Sequence, residues 1–525
     1  MLVPVAAVAQ DAPSAGDARA YVRARAAEAE GQADDAVRYY QAALAAAPDD
    51  VSVAGRAYRL AVTAGDIALA RRALAVLDKA QALPLDGSLF AFALALDSRD
   101  APGMEHALDR MERGPLDFMV PVLRAWIAQD RGDDGVAMLE SHLTSVFARR
   151  YAGEHRALLL IARGAVREGV AAIGHQIAAD PDRLELRWAA AKLLARRGDR
   201  DAATALLDGP GPELAAMRAG LGRGARADAR FGATVLFLRI ADELGSDETM
   251  PLVIVLSRAA LLLDPADARA RLLLADAVSR EGMPTVAQEL IGDVKRNSPW
   301  YRASRAAAVR VLQRSGETAQ ALAQARTLSG EKDATSSDAR TLGDVLLAAG
   351  DVAAAADAYA LAVERAGDGA EWPLLVDLAD ARRQSGQPAE ALATLRRARK
   401  LAPDEPEVLT RLGDLQVAQG VDLDGAVVML ERAATLRPRD AEVSGALAWG
   451  YFRKGDVARA LPLLERAARN APASVSVNER LGDVYWTLGR RFEARYAWRA
   501  AAVVAEGADA ARIDEKLRHG LDTDG

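Results

Sequence analysis

The chain has 525 residues, 67 Lys and Arg against 74 Asp and Glu for a net charge of −7, and no Cys. This excludes a disulfide framework, a thiol nucleophile and thiolate-held zinc or iron–sulfur sites, and the acidity argues against wholesale binding of nucleic-acid phosphates. With 51% apolar but only 5% aromatic residues, and Ala dominating, the composition suits closely stacked helices and excludes an all-β fold.

At the N-terminus, Met1-Leu-Val-Pro-Val-Ala-Ala-Val-Ala9 is apolar and closes on Ala7-Val8-Ala9, the small-x-small pattern of a signal-peptidase site. No basic segment precedes it, so residues 1–16 read as the back half of a signal peptide and a polar tether, with Gln10 as the mature N-terminus and a periplasmic location. The alternative is an accidental apolar start on a cytosolic protein. A lipid anchor would need Cys where Gln10 stands, so a peripheral place at the outer membrane would depend on a partner. No run of 18 apolar residues occurs, and no membrane-spanning helix is expected.

Beyond the tether a period of 34 residues runs through the chain: Gly31 to Gly65, Gly164 to Gly198, Pro265 to Pro299 and Pro438 to Pro472 are each 34 apart. Residues 17–50 keep Ala36, Tyr40, Ala43 and Pro48 in phase, and residues 51–84 keep Gly65, Ala70 and Leu74. Residues 85–183 are degenerate, although Leu116–Trp126 reads as a first helix with Pro121 in its opening turns. A further unit with Trp188, Gly198 and Leu207 ends an N-terminal array over 17–208. Gly209-Pro-Gly-Pro212 and then Gly220, Gly222 and Gly224 break the series, predicting a hinge or loop over 209–230. The Gly-Leu-Gly-Arg-Gly run lacks the strand and βαβ setting of a dinucleotide site. A C-terminal array over 231–504 follows, clearest from 336 onward. Residues 505–525, with Ile513 and Leu517 among charges, predict a capping helix and tail.

The best copy carries Leu481, Gly482, Asp483, Tyr485, Gly489, Ala494, Trp498 and Ala501; its predecessor carries Leu447, Ala448, Tyr451, Gly455, Ala460, Leu464, Ala467 and Pro472. Gly482 and Ala494 are small where two backbones approach, Gly455 and Gly489 permit the turn, and Pro472 stops the second helix. This pattern resembles the tetratricopeptide repeat family. The resemblance implies an all-α helix–turn–helix solenoid, a right-handed superhelix of about fourteen repeats in two arrays. The stretch Asn478–Arg499 and the inserted residue in Gln419–Ala426 are similar to long proteobacterial periplasmic or outer-membrane repeat scaffolds, whose relatives include a lipoprotein adaptor of a carboxyl-terminal processing protease. That likeness implies a non-enzymatic scaffold of the cell envelope with a protein partner such as an envelope protease or assembly machine. The alternatives are a module of an export or polysaccharide-secretion apparatus, or a repeat-fused enzyme. No cofactor is expected, and the five histidines, His106, His142, His155, His175 and His519, never approach metal-ligand spacing such as HExxH.

In the family, first helices line a concave groove. Counting back from each turn Gly, one groove position holds Asp276, Asp344, Asp380, Asp414 and Asp483, with Arg310 and Trp449 in the gaps. Phe452, Arg453, Glu479 and Trp486 fall at neighbouring groove positions. This predicts an acidic groove with aromatic contact area, suited to a partner carrying Arg or Lys and unsuited to acidic tails. Two plainer readings stand beside it: small polar residues that keep the helices soluble, and tryptophans that pack between consecutive first helices.

Overall fold

The computed structural model describes residues 15–141, 146–180, 183–209 and 211–521; the cleavage stretch Met1–Gln10 and His142 lie outside them. Among these residues there are thirty α-helices, three short 3-10 turns and no strand. Twenty-eight of the helices form fourteen successive pairs, from Ala15–Ala29 with Ala33–Ala46 to Val475–Thr487 with Arg491–Ala502, while Pro212–Gly220 and Gly507–His519 stand alone. The expected all-α repeat, and the expected number of repeats, are what the chain forms.

Local chemistry explains each pair. In the helix Ala441–Arg453 the Asp440 carboxylate accepts from the amides of Glu442 and Val443, and in Val457–Asn470 Asp456 accepts from Arg459. Between them Gly455 takes φ 83°, the left-handed turn that only glycine enters without strain. Close approach is equally specific: a Cβ on Gly482 would lie 2.3 Å from the Trp498 ring, and Trp498 and Ala494 are fully buried beneath it.

The chain divides into two compact units, residues up to Ala321 and residues from Leu322 onward. The second unit is a plain stack in which each pair packs on the next. The first unit is not. Its helix Met250–Leu263 packs on Val51–Ala64 and Gly87–Ser98, and Ala229–Glu243 packs on Val120–Arg131, all of them first helices of N-terminal repeats. The Gly/Pro-rich stretch 209–230, expected between two separate arrays, therefore lies inside the first unit and returns the chain across the inner face of repeats already formed.

Side chains pin this return. Four successive residues, Val253 to Leu256, are buried, so every face of that helix is covered. Arg258 donates from Nε to the Val62 carbonyl at 2.8 Å and from a terminal nitrogen to Thr63 at 2.7 Å. These are the last carbonyls of Val51–Ala64, where a cation is favoured by unpaired acceptors and by the helix dipole. Burial brings the Arg258 guanidinium down to about 10, still charged at neutral pH. Farther along, Trp126 meets Phe231 edge-on at 5.6 Å, and the absence of a side chain at Gly232 makes the crossing possible, since a Cβ there would stand 2.1 Å from the Trp126 ring.

Candidate functional site

In the second unit the first helices enclose a cleft of about 700 Å³ whose lining includes Asp380, Arg383, Glu407, Arg411, Asp414 and Arg480. Asp380 lies 3.5 Å from Arg411 and 4.0 Å from Arg383. Asp414 accepts from Arg480 at 2.6 Å, although the two are 66 residues apart with one whole repeat between them. The intervening helix Ala441–Arg453 turns the small Ala446 toward the cleft, which leaves room for that pair to close across it.

Of the expected row of carboxylates, Asp380 and Asp414 share this cleft, each beside an arginine. Asp344 is exposed and accepts the Tyr359 hydroxyl at 2.7 Å; neighbouring Asp377 pairs with Arg340 at 2.6 Å. In the first unit Asp276 sits between Arg314 at 2.7 Å and Arg280 at 3.0 Å. Each carboxylate is already partnered by its own chain, so the row is not a bare negative stripe awaiting a cation. Arg411 and Arg480 were the missing half, and a signal for them is visible: Arg411-Leu-Gly-Asp414 and Arg480-Leu-Gly-Asp483 repeat the same four residues. At spacing i, i+3 both charges share a helix face, so the arginine of one repeat can reach a preceding aspartate.

Glu479, Asp483 and Trp486 require a second correction. They occupy the expected positions of the repeat formed by Val475–Thr487 and Arg491–Ala502, and the helix Gly507–His519 lies over them. Glu479 accepts two bonds from Arg512 at 2.7 and 2.8 Å and one from Lys516 at 2.6 Å. Asp483 accepts from Lys516 at 2.7 and 2.9 Å and from the Trp498 indole at 2.9 Å. Trp486 is 6% exposed, packed on Trp498 at 5.2 Å and on the Arg491 guanidinium at 3.8 Å. Burial alone would raise the Glu479 carboxyl, yet its cationic partners outweigh burial and bring it down to about 2. For Asp483 burial prevails over Lys516 and holds the carboxyl above its ordinary range.

Trp449 and Phe452 remain half-buried and stack at 5.1 Å between centroids, and Arg453 beside them is exposed. Asp380, Asp414, Trp449, Phe452 and Arg453 therefore keep surface that a partner can reach. Among the described residues no helix is long and apolar enough to cross a membrane.

The tetratricopeptide repeat family profile matches residues 382–450, which form part of the cleft. No curated protein matches the chain. Among solved structures, the chain is similar to the Cut9–Hcn1 assembly of the APC/C at 14% identity over 96% of both chains, with a TM-score of 0.41. A repeat protein from Parabacteroides merdae is 15% identical over 48% of this chain and 97% of its own, TM-score 0.39. YrrB, a repeat protein described as having an unusual peptide-binding site, is 22% identical over 33% of this chain and 88% of its own, TM-score 0.29.

Proposed function

We propose that this chain is a non-enzymatic interaction scaffold of the bacterial cell envelope that receives a partner polypeptide in the cleft of its second unit. The observation that carries this reading is the alternation of Asp380, Arg411, Asp414 and Arg480 around a cleft of about 700 Å³. Such a lining offers both signs of charge, so its partner is a segment bearing acidic and basic residues together, able to exchange with the intrachain pairs. Electrostatic complementarity of this kind sets specificity and encounter rate. Outside the cleft lining, on the helix Ala441–Arg453 that contributes Ala446 to it, the stacked Trp449–Phe452 pair offers rigid aromatic area to the same partner, the usual source of binding energy at protein interfaces. The envelope location rests on the Ala7-Val8-Ala9 pattern.

The test is crosslinked capture from envelope fractions of the source organism, comparing wild type with the Arg411→Glu, Arg480→Glu double variant and with Trp449→Ala, Phe452→Ala. Both variants should lose the same partner by roughly tenfold or more at unchanged helicity. Undiminished recovery by both would exclude this cleft. Mass spectrometry of the native protein should find Gln10 as its first residue; a cytosolic form retaining Met1 would refute the envelope assignment.

A further inference from the structure

The first unit holds a second cavity, of about 350 Å³, within the size range of small-molecule sites. It forms where the chain returns across the inner face: the helix Leu184–Arg197 supplies Trp188 and Lys192, the helix Ala229–Glu243 supplies Phe231, Thr234 and Leu238, and Trp300 completes the wall. The glycine-rich stretch is the joint that brings these together. The Ala225 amide donates to the Lys192 carbonyl at 2.9 Å, and Gly224, at φ 72°, passes so close that a Cβ would stand 2.1 Å from that oxygen. Those glycines serve backbone contact with a helix, not a phosphate.

The charges in the lining are almost all spoken for. Glu154 is bonded by Arg183 and Arg239, Glu185 pairs with Arg269, and Arg230 pairs with Asp97. Asp228 and Asp267 accept from the opening amides of their own helices. The exception is Lys192. Its ammonium lies 5.8 Å from the ring centres of both Trp188 and Phe231, and among the described residues it makes no ion pair or hydrogen bond.

From the unpaired ammonium held between aromatic rings in the cavity wall, we infer that this cavity binds a small, flat, singly negative aromatic compound. The anion meets Lys192 and the ring lies against the aromatic wall. The lining's six cations and five carboxylates leave one positive charge over, which favours a monoanion over a nucleotide or an acidic peptide. The site lies in the other unit from the proposed partner cleft and stands or falls independently of it.

The test is calorimetric titration of the full chain with indole-3-acetate and 2-naphthoate, each beside its neutral amide. At least one acid should bind one to one, and its amide about tenfold more weakly, a difference of about 1.4 kcal/mol. Lys192→Met should remove the preference for the acid without shifting the melting temperature, and Trp300→Leu should weaken acid and amide alike. No saturable binding of either acid at millimolar concentration, equal affinity for acid and amide, or an acid preference that survives Lys192→Met would each overturn the assignment. If Lys192→Met does not fold, the acid and amide comparison on the wild-type chain decides.

Discussion

His155 is fully buried and accepts the Trp126 indole N–H on Nδ1 at 2.9 Å, and burial lowers its imidazolium to about 3. In an unfolded chain the same ring titrates near 6.5. The unfolded state therefore takes up the proton first, so the stability due to neutral His155 is complete above about pH 6.5 and is lost as the pH falls toward 3, by about 1.4 kcal/mol per unit. Replacing His155 with Gln keeps an acceptor for Trp126 and removes the titration. Denaturant unfolding at pH 7 and pH 5 should show a larger loss for wild type than for His155→Gln; equal losses would mean that the ring is solvated and titrates normally. Arg258 solves the opposite problem, a buried charge with no carboxylate partner among the described residues, by spending its donors on helix-end carbonyls.

At the scale of the element, the terminal helix Gly507–His519 behaves as a plug. Ile513 is fully buried beside Trp486 and Trp498, and Arg512 and Lys516, one turn apart on the same side, reach Glu479 and Asp483. A chain ending at Ala505 would strand two buried carboxylates and uncover Trp486. Removing one partner of a buried pair costs roughly 3–5 kcal/mol because the remaining charge is uncompensated. Lys516→Met should accordingly destabilise the last repeat by about 3 kcal/mol, and adding Glu479→Gln and Asp483→Asn should restore much of it. The measurement is thermal melting followed by tryptophan emission. Failure of the triple variant to recover would show that the helix is held by Ile513 and Leu517 instead.

At the scale of the whole molecule, the two units differ in how they bury their inner faces. In the second, the inner face stays open as the charged cleft. In the first, the helices Gly87–Ser98 and Val120–Arg131 are covered by residues 229–263, with Trp126 against Phe231, so residues 15–208 cannot complete their own core. A 15–208 fragment should melt broadly and bind a hydrophobic dye, whereas fragments 15–321 and 322–525 should each melt cooperatively. Equal sharpness for 15–208 and 15–321 would show the return segment to be an accessory to a finished fold.

The helix pairs, their number, their glycine turns and the terminal helix are all legible along the chain, because a 34-residue period records local conformation and the face each helix buries against its immediate neighbour. The return across the first unit is not part of that period, since Arg258 meets Val62 across 196 residues and no local pattern encodes a partner at that distance. A trace of it was nevertheless present: Gly87–Ser98 and Met250–Leu263 are apolar on all sides, which a helix covered only by its own repeat does not need. The repeat positions of the aspartates are legible too, but not their surroundings. Asp414 and Asp483 occupy the same place in their repeats, yet one borders an open cleft and the other lies beneath a plug. Periodicity assigns a side chain to a face; which cation reaches it, and whether solvent does, is decided by the segments that tertiary folding lays over that face.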